Sequence, residues 1–125
     1  MSAAASKIVF AAIVVTAGCL VGACAPAGSP ADRFAKDPAA VERGKMIFVG
    51  TCGAYCHSNK KDNRDAPYLF DCEWLHGGSE TKIFTTISNG VPNTRMVAFG
   101  GKLPNGDDDI RNLVAFLQVN SRCAQ

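Results

Sequence analysis

Apolar residues along the chain fall into four separable patterns. The first is an unbroken run, IVFAAIVVTAGCLV from Ile8 to Val21, with no charge in fourteen residues. One positive side chain, Lys7, precedes it, and the small residues GACAPAGSP follow. A charged start, an apolar middle and a small-residue end are the layout of an export signal over 1–27. Fourteen residues fall short of the ~20 that cross a bilayer. A retained anchor from Ala3 to Ala27 is therefore the second reading. Residues 28–36 (GSPADRFAK) are small and polar and predict a linker. The second pattern is helical. Asp37-Pro38 offers an N-cap with proline at the first helical position, and Val41, Met46, Ile47 and Phe48 fall near one face, which assigns Met46 to the core. Gly44 costs about 1 kcal/mol in mid-helix relative to alanine, so its presence predicts a close approach by another element. In the third pattern Ile83, Phe84 and Ile87 predict a helix over 80–89, capped by Ser79 or Gly78 and stopped at Gly90. The fourth is the clearest: Ile110, Leu113, Val114 and Leu117 stand at i, i+3, i+4 and i+7. Asp107-Asp108-Asp109 ahead of them predict a cap and negative charge at the positive end of the helix dipole, with Arg122 at the other end.

Between these elements the chain is polar over 58–67, mixed aromatic and apolar over 68–75, and rich in glycine and proline over 91–106. No strand pattern and no internal repeat is visible. The expectation is an all-α domain over 37–125, three to four short helices joined by long loops. Long loops in so small a domain require something to fill the middle.

Composition narrows the function classes. Of the 125 residues 47% are hydrophobic, and the formal net charge is only +2, which excludes a disordered polyelectrolyte. Basic residues are dispersed, so no nucleic-acid stripe exists. Two processing sites compete in the first segment. Ala25-Pro26-Ala27 fits cleavage before Gly28, whereas Val21-Gly22-Ala23-Cys24 resembles a lipobox that would lipidate Cys24 and tether the chain to a membrane. Cys19, with Thr16 three residues before it, fits a lipobox less well. Either route exports the domain to a periplasmic, disulfide-permissive compartment. Four of the six cysteines then remain: Cys52, Cys56, Cys72 and Cys123.

Cys52-Gly53-Ala54-Tyr55-Cys56-His57 places two thiols and an imidazole within six residues at the end of the second-pattern helix. In an exported chain this looks like an attachment site for haem c, with thiols adding across the vinyl groups and the adjacent histidine ligating iron. The usual two-residue spacing is three here. Cysteines at i and i+4 still share a helical face, provided a local bulge absorbs the extra residue. A small disulfide, or a zinc site with a fourth ligand, are the competing readings. Of the methionines that outlast the signal, Met46 lies on a helix, while Met96 lies in a loop free to reach the far side of a cofactor.

These segments resemble class I cytochromes c over Val41 to Leu117. The helix carrying Gly44, Lys45, Ile47 and Phe48 resembles the family's first helix, Ala66-Pro67-Tyr68-Leu69 its Gly-Pro-x-Leu segment, and Asn89 to Phe99 (NGVPNTRMVAF) its methionine loop. Ile110 to Leu117, with Phe116 at an aromatic position, resembles its last helix. The resemblance implies a cytochrome c fold wrapped around one covalent haem. It implies His57 and Met96 as iron ligands, Cys52 and Cys56 as thioether donors, and the Pro67 carbonyl as acceptor for His57 Nδ1. Trp74 would pack on the ring with its N–H toward a propionate, and Arg95 would pair with a propionate. His76 is the rival axial ligand. Such a protein carries one electron between redox partners and is no enzyme. Lys60, Lys61, Arg64, Arg95 and Lys102 would then steer an acidic partner. The segments Trp74 to Ser79 and Gly100 to Pro104 look like those of small cytochromes that accept electrons from quinoprotein dehydrogenases; a terminal oxidase or another cytochrome would accept the electron in turn. The alternatives are a haem enzyme or gas-binding protein with a labile sixth ligand, and a haem-free module held by two disulfides. A Cys72–Cys123 disulfide is expected, against two free thiols or an intermolecular bond.

Overall fold

In a computed structural model of the chain, residues 30–58, 60–61 and 66–123 are described. The expected export signal, with Cys19 and Cys24, and Arg64 lie outside them. The described residues form four α-helices and contain no strand. Helix α1 (Pro30–Ala35) occupies what the composition reads as linker, and it packs on the helices α2 (Pro38–Ile47) and α4 (Asp107–Asn120). This corrects the linker assignment. Six residues do not hold a helix in isolation. Here the half-buried Phe34 and the neighbouring helices stabilise it, and the Asp37 N–H bonded to the Phe34 carbonyl (3.1 Å) closes its end.

Helix α2 (Pro38–Ile47) begins as its sequence demands: the Asp37 carboxylate accepts the Ala39 N–H at 2.9 Å, with Pro38 at the first position. It crosses the longest helix, α4 (Asp107–Asn120), at Gly44. A Cβ on Gly44 would strike the Asn112 carbonyl and come within 2.8 Å of Phe116 Cβ. The clash is with backbone, which cannot swing aside, so the overpacking cost should fall at the upper end of ~1–3 kcal/mol; after the ~1 kcal/mol gain in helix propensity, Gly44→Ala should destabilise the domain by about 2 kcal/mol. Chemical denaturation measures this; an unchanged midpoint would refute the tight crossing.

Helix α3 (Glu80–Asn89) starts at Ser79, whose Oγ accepts the Lys82 N–H at 3.4 Å, and stops at Gly90 with φ +70°. Its Ile83 and Ile87 face the core together with the α4 stripe Ile110, Leu113, Val114 and Leu117. Phe48, Phe70 and Phe116 join α2, the following loop and α4, with ring centroids 5.2–5.9 Å apart. Met46 does not belong to this core: it is 55% exposed. Ile47 and Phe48 take the inward positions, and a neighbour one residue earlier is turned about 100° away.

The loop after Pro67 is tied to the chain end at two points. Arg122 donates its N–H to the Phe70 carbonyl (3.1 Å), and Cys72 is disulfide-bonded to Cys123 with Cα atoms 5.3 Å apart. Arg122 thus lies beyond α4 and serves the loop through its backbone. The 51-residue separation corresponds to roughly 4 kcal/mol of entropic stabilisation.

Candidate functional site

The chain leaves α2 through a wider turn. Residues Phe48–Gly53 are π-helical, and the Cys52 carbonyl accepts the N–H groups of both Cys56 (3.0 Å) and His57 (2.8 Å). A π-turn takes in one more residue than an α-turn. It is the bulge that three residues between the cysteines require, and it keeps Cys56-His57 at the edge of an internal space.

That space is a cavity of about 410 Å³, within the ~300–1,000 Å³ that suits a sizeable ligand. Leu69, Ile83, Ile87, Val91 and Leu117 supply much of its apolar wall. Cys56, His57, Pro67, Trp74, Arg95 and Met96, together with His76, all border it. Residues spread over some forty positions are thus brought together. Cys52 is different: it is half-buried on the core side and does not border the cavity. Burial first, and the neighbouring Cys56 second, push its thiol up to about 11.

His57 is only 7% exposed. Its Nδ1 lies 2.8 Å from the Pro67 carbonyl oxygen. A carbonyl can only accept, so Nδ1 carries a proton, and in the neutral ring the lone pair is then on Nε2. The ring is therefore fixed in orientation and in the tautomer that a metal requires. Trp74 is half-buried beside the cavity, and Gly78 allows the chain to pass over it: a Cβ there would strike the indole Cδ1 and sit 2.9 Å from Nε1. Arg95 is exposed at the cavity rim. Lys61 is engaged elsewhere, with Nζ 2.9 Å from Asp71 Oδ2 and 3.6 Å from Glu73 Oε2, so its charge is offset rather than offered to a partner.

An apolar cavity, a buried imidazole with a free Nε2, a thiol beside it and a thioether from a separate loop form a donor set that fits haem c. The cavity walls were missed in the sequence, although the i, i+4 pair Ile83 and Ile87 carried the signal for one of them.

Comparison with known proteins agrees in chemistry. The family model described as cytochrome C oxidase, cbb3-type, subunit III matches residues 39–117. The cbb3-type cytochrome c oxidase subunit CcoP of Rubrivivax gelatinosus is 36% identical over 90 residues, 70% of this chain and 28% of that protein. The corresponding subunit FixPc of Rhizobium leguminosarum bv. viciae is 34% identical over 87 residues, 65% of this chain and 28% of its own length. This chain thus spans little more than a quarter of the curated relatives it matches. A solved cytochrome c6 from the diatom Phaeodactylum tricornutum aligns with a TM-score of 0.49 at 29% identity, covering 62% of this chain and 88% of that one.

Proposed function

This chain belongs to the cytochrome c family, within the group described as cytochrome C oxidase, cbb3-type, subunit III, and from that premise we propose that it is an exported, class I monohaem electron carrier. It is an all-α haem electron-transfer cytochrome, and haem c is its cofactor. When bound, haem supplies a one-electron ferric–ferrous couple. Cys52 and Cys56 would hold it through thioethers, and His57 Nε2 and the Met96 sulfur would be the protein's iron ligands. The Pro67 carbonyl orients the imidazole through the Nδ1 hydrogen bond. Trp74 and Arg95 would meet the propionate side. The apolar wall excludes water and so favours the less charged ferrous state.

One observation carries the reading: a His57 ring pinned by Pro67 shares an apolar cavity with Cys56 and, from a distant loop, Met96. The naming of the relatives as oxidase subunits supports a terminal oxidase as electron acceptor. A quinoprotein dehydrogenase is the proposed donor, the periplasm the proposed compartment, and lipid at Cys24 the proposed link to a membrane. No helix of the described residues is long and apolar enough to cross a bilayer.

Produced with cytochrome-assembly machinery, the protein should show haem c spectra in both redox states, including the weak red ferric band of methionine ligation. Met96→Ala should remove that band and lower the reduction potential, because a thioether ligand opposite histidine favours ferrous iron. An unchanged ferric spectrum in that variant would eliminate Met96 and leave His76, at the same cavity, as the rival.

A further inference from the structure

We propose that Thr94 is a positioning residue for Met96, its hydroxyl holding the backbone of the residue whose side chain enters the cavity. The inference rests on the reading of Met96 as sixth ligand. It starts from the turn Val91-Pro92-Asn93-Thr94. The Thr94 N–H donates to the Val91 carbonyl at 3.3 Å, proline occupies the second position, and Asn93 in the third has φ +60°. Proline second with a left-handed residue third is the signature of a type II turn, and asparagine tolerates that conformation better than most residues.

Thr94 Oγ1 does two things at once. It donates to the Val91 carbonyl at 2.8 Å and accepts the Met96 N–H at 3.1 Å. Met96 is held again on its other side, where its carbonyl accepts the Val91 N–H at 3.0 Å. Residues 91–96 thus close on themselves, with Met96 gripped at both backbone polar groups. The loop is also docked at both ends. Gly90 leaves α3 with φ +70°, and a Cβ there would come within 2.6–2.8 Å of the Met96 carbonyl oxygen, Ala98 N and Val97 C. On the exit side Phe99 and Gly100 donate to the carbonyls of Ile87 and Ser88, each at 3.0 Å. Of the links that fix Met96 within the loop, the hydroxyl is the one that a side-chain substitution can remove while preserving shape.

The consequence is preorganisation. A ligand held in place re-forms its bond to iron faster than an added ligand from solution can compete. Thr94 is solvent-exposed, so water can take over part of its bonding, and the expected effect is that of one or two ordinary hydrogen bonds.

Ferric haem-loaded protein should be titrated with imidazole in four forms: parent, Thr94→Val, Thr94→Ser and Met96→Ala. Thr94→Val keeps the β-branch and loses the hydroxyl. It should bind imidazole roughly fivefold to tenfold more tightly than the parent and weaken the red ferric band. Thr94→Ser, which restores the hydroxyl, should return both readouts to parent values. Thr94→Ala serves the same comparison should the valine fail to fold. Parent-like binding in Thr94→Val or Thr94→Ala, beside an altered Met96→Ala, would overturn the role of Thr94 and leave the ligand reading intact. A Met96→Ala titration identical to the parent would overturn both, at the ligand itself.

Discussion

A Cys56→Ala variant is expected to emerge from an assembly-competent host without covalent haem and without a cooperative fold. Cys56 borders the cavity beside His57, whereas Cys52 lies within the π-turn and packs toward the core. The thiol at position 56 is therefore the one already placed for addition to a vinyl group. Cys52→Ala should retain haem through the single bond at Cys56. Intact mass distinguishes the two variants directly, because covalent haem adds a fixed increment. The structural consequence follows from the volume. A dry, rigid cavity of about 410 Å³ would cost roughly 10 kcal/mol at ~24 cal/mol per Å³. Its mouth is open and water would relieve part of that, but the total stability of a domain this size is only ~5–15 kcal/mol. Far-UV circular dichroism of the haem-free variant should accordingly show reduced helix and a broad, non-cooperative thermal transition. Full haem mass in Cys56→Ala would reverse the assignment of the two cysteines.

What the sequence made legible is what short-range physics fixes. Ser79 and Gly90 bound α3 because a hydroxyl cap and a left-handed stop act within a few residues. The i, i+3, i+4, i+7 stripe of α4 is buried because a helix has one face to hide. Gly44 signalled a crossing because only a partner backbone explains a glycine there. The motif Cys52 to His57 carried its chemistry in its residue types, and its extra residue required a bulge. The failures share a different cause: each depends on a partner far along the chain. Helix α1 exists because α4 lies beside it. Met46 looked apolar enough for the core, but the side of the helix that meets Phe116 of α4 is the one carrying Phe48, and Met46 is turned away from it. Lys61 is held by Asp71 and Glu73 across a loop whose closure no local pattern encodes. The cavity itself arises from loop closure, so beyond the Ile83 and Ile87 pair and the loop position of Met96 its lining could be anticipated only where a resemblance supplied the path.

Asp109 is the residue whose role departs furthest from its local context, and it yields the second large effect. By position it belongs with Asp107 and Asp108 as dipole-stabilising charge, yet α4 begins at Gly106 without a side-chain cap and Asp109 is 0% exposed. Its carboxylate receives Arg43 Nε at 2.9 Å and Nη2 at 2.8 Å from α2, and the backbone and side-chain N–H groups of Asn105, both at 3.1 Å. The Arg43 hydrogen bond chiefly, with Asn105 assisting and burial opposing, holds the carboxyl well below the usual carboxylate range. A depressed folded-state pKa contributes stability above the unfolded value, which is lost as pH falls through about 4 and below. The two partners should not be equivalent. The Arg43 side chain is 35% exposed and can be rehydrated, whereas Asp109 cannot. Arg43→Met should therefore cost about 3–5 kcal/mol by stranding a buried charge, and Asp109→Asn only ~1–3 kcal/mol. The pH dependence should also weaken. With Arg43 gone, only the Asn105 hydrogen bonds are left to oppose burial, so Arg43→Met should lose less stability in acid than the parent does. Replacing both residues by apolar side chains of similar size should recover most of the loss, since neither charge is then left unpaired. Denaturant titrations of the haem-loaded protein at neutral pH and near pH 4 measure all three. An Arg43→Met variant as stable as the parent, with the same pH slope, would mean that the two helices are held together by their apolar stripes alone.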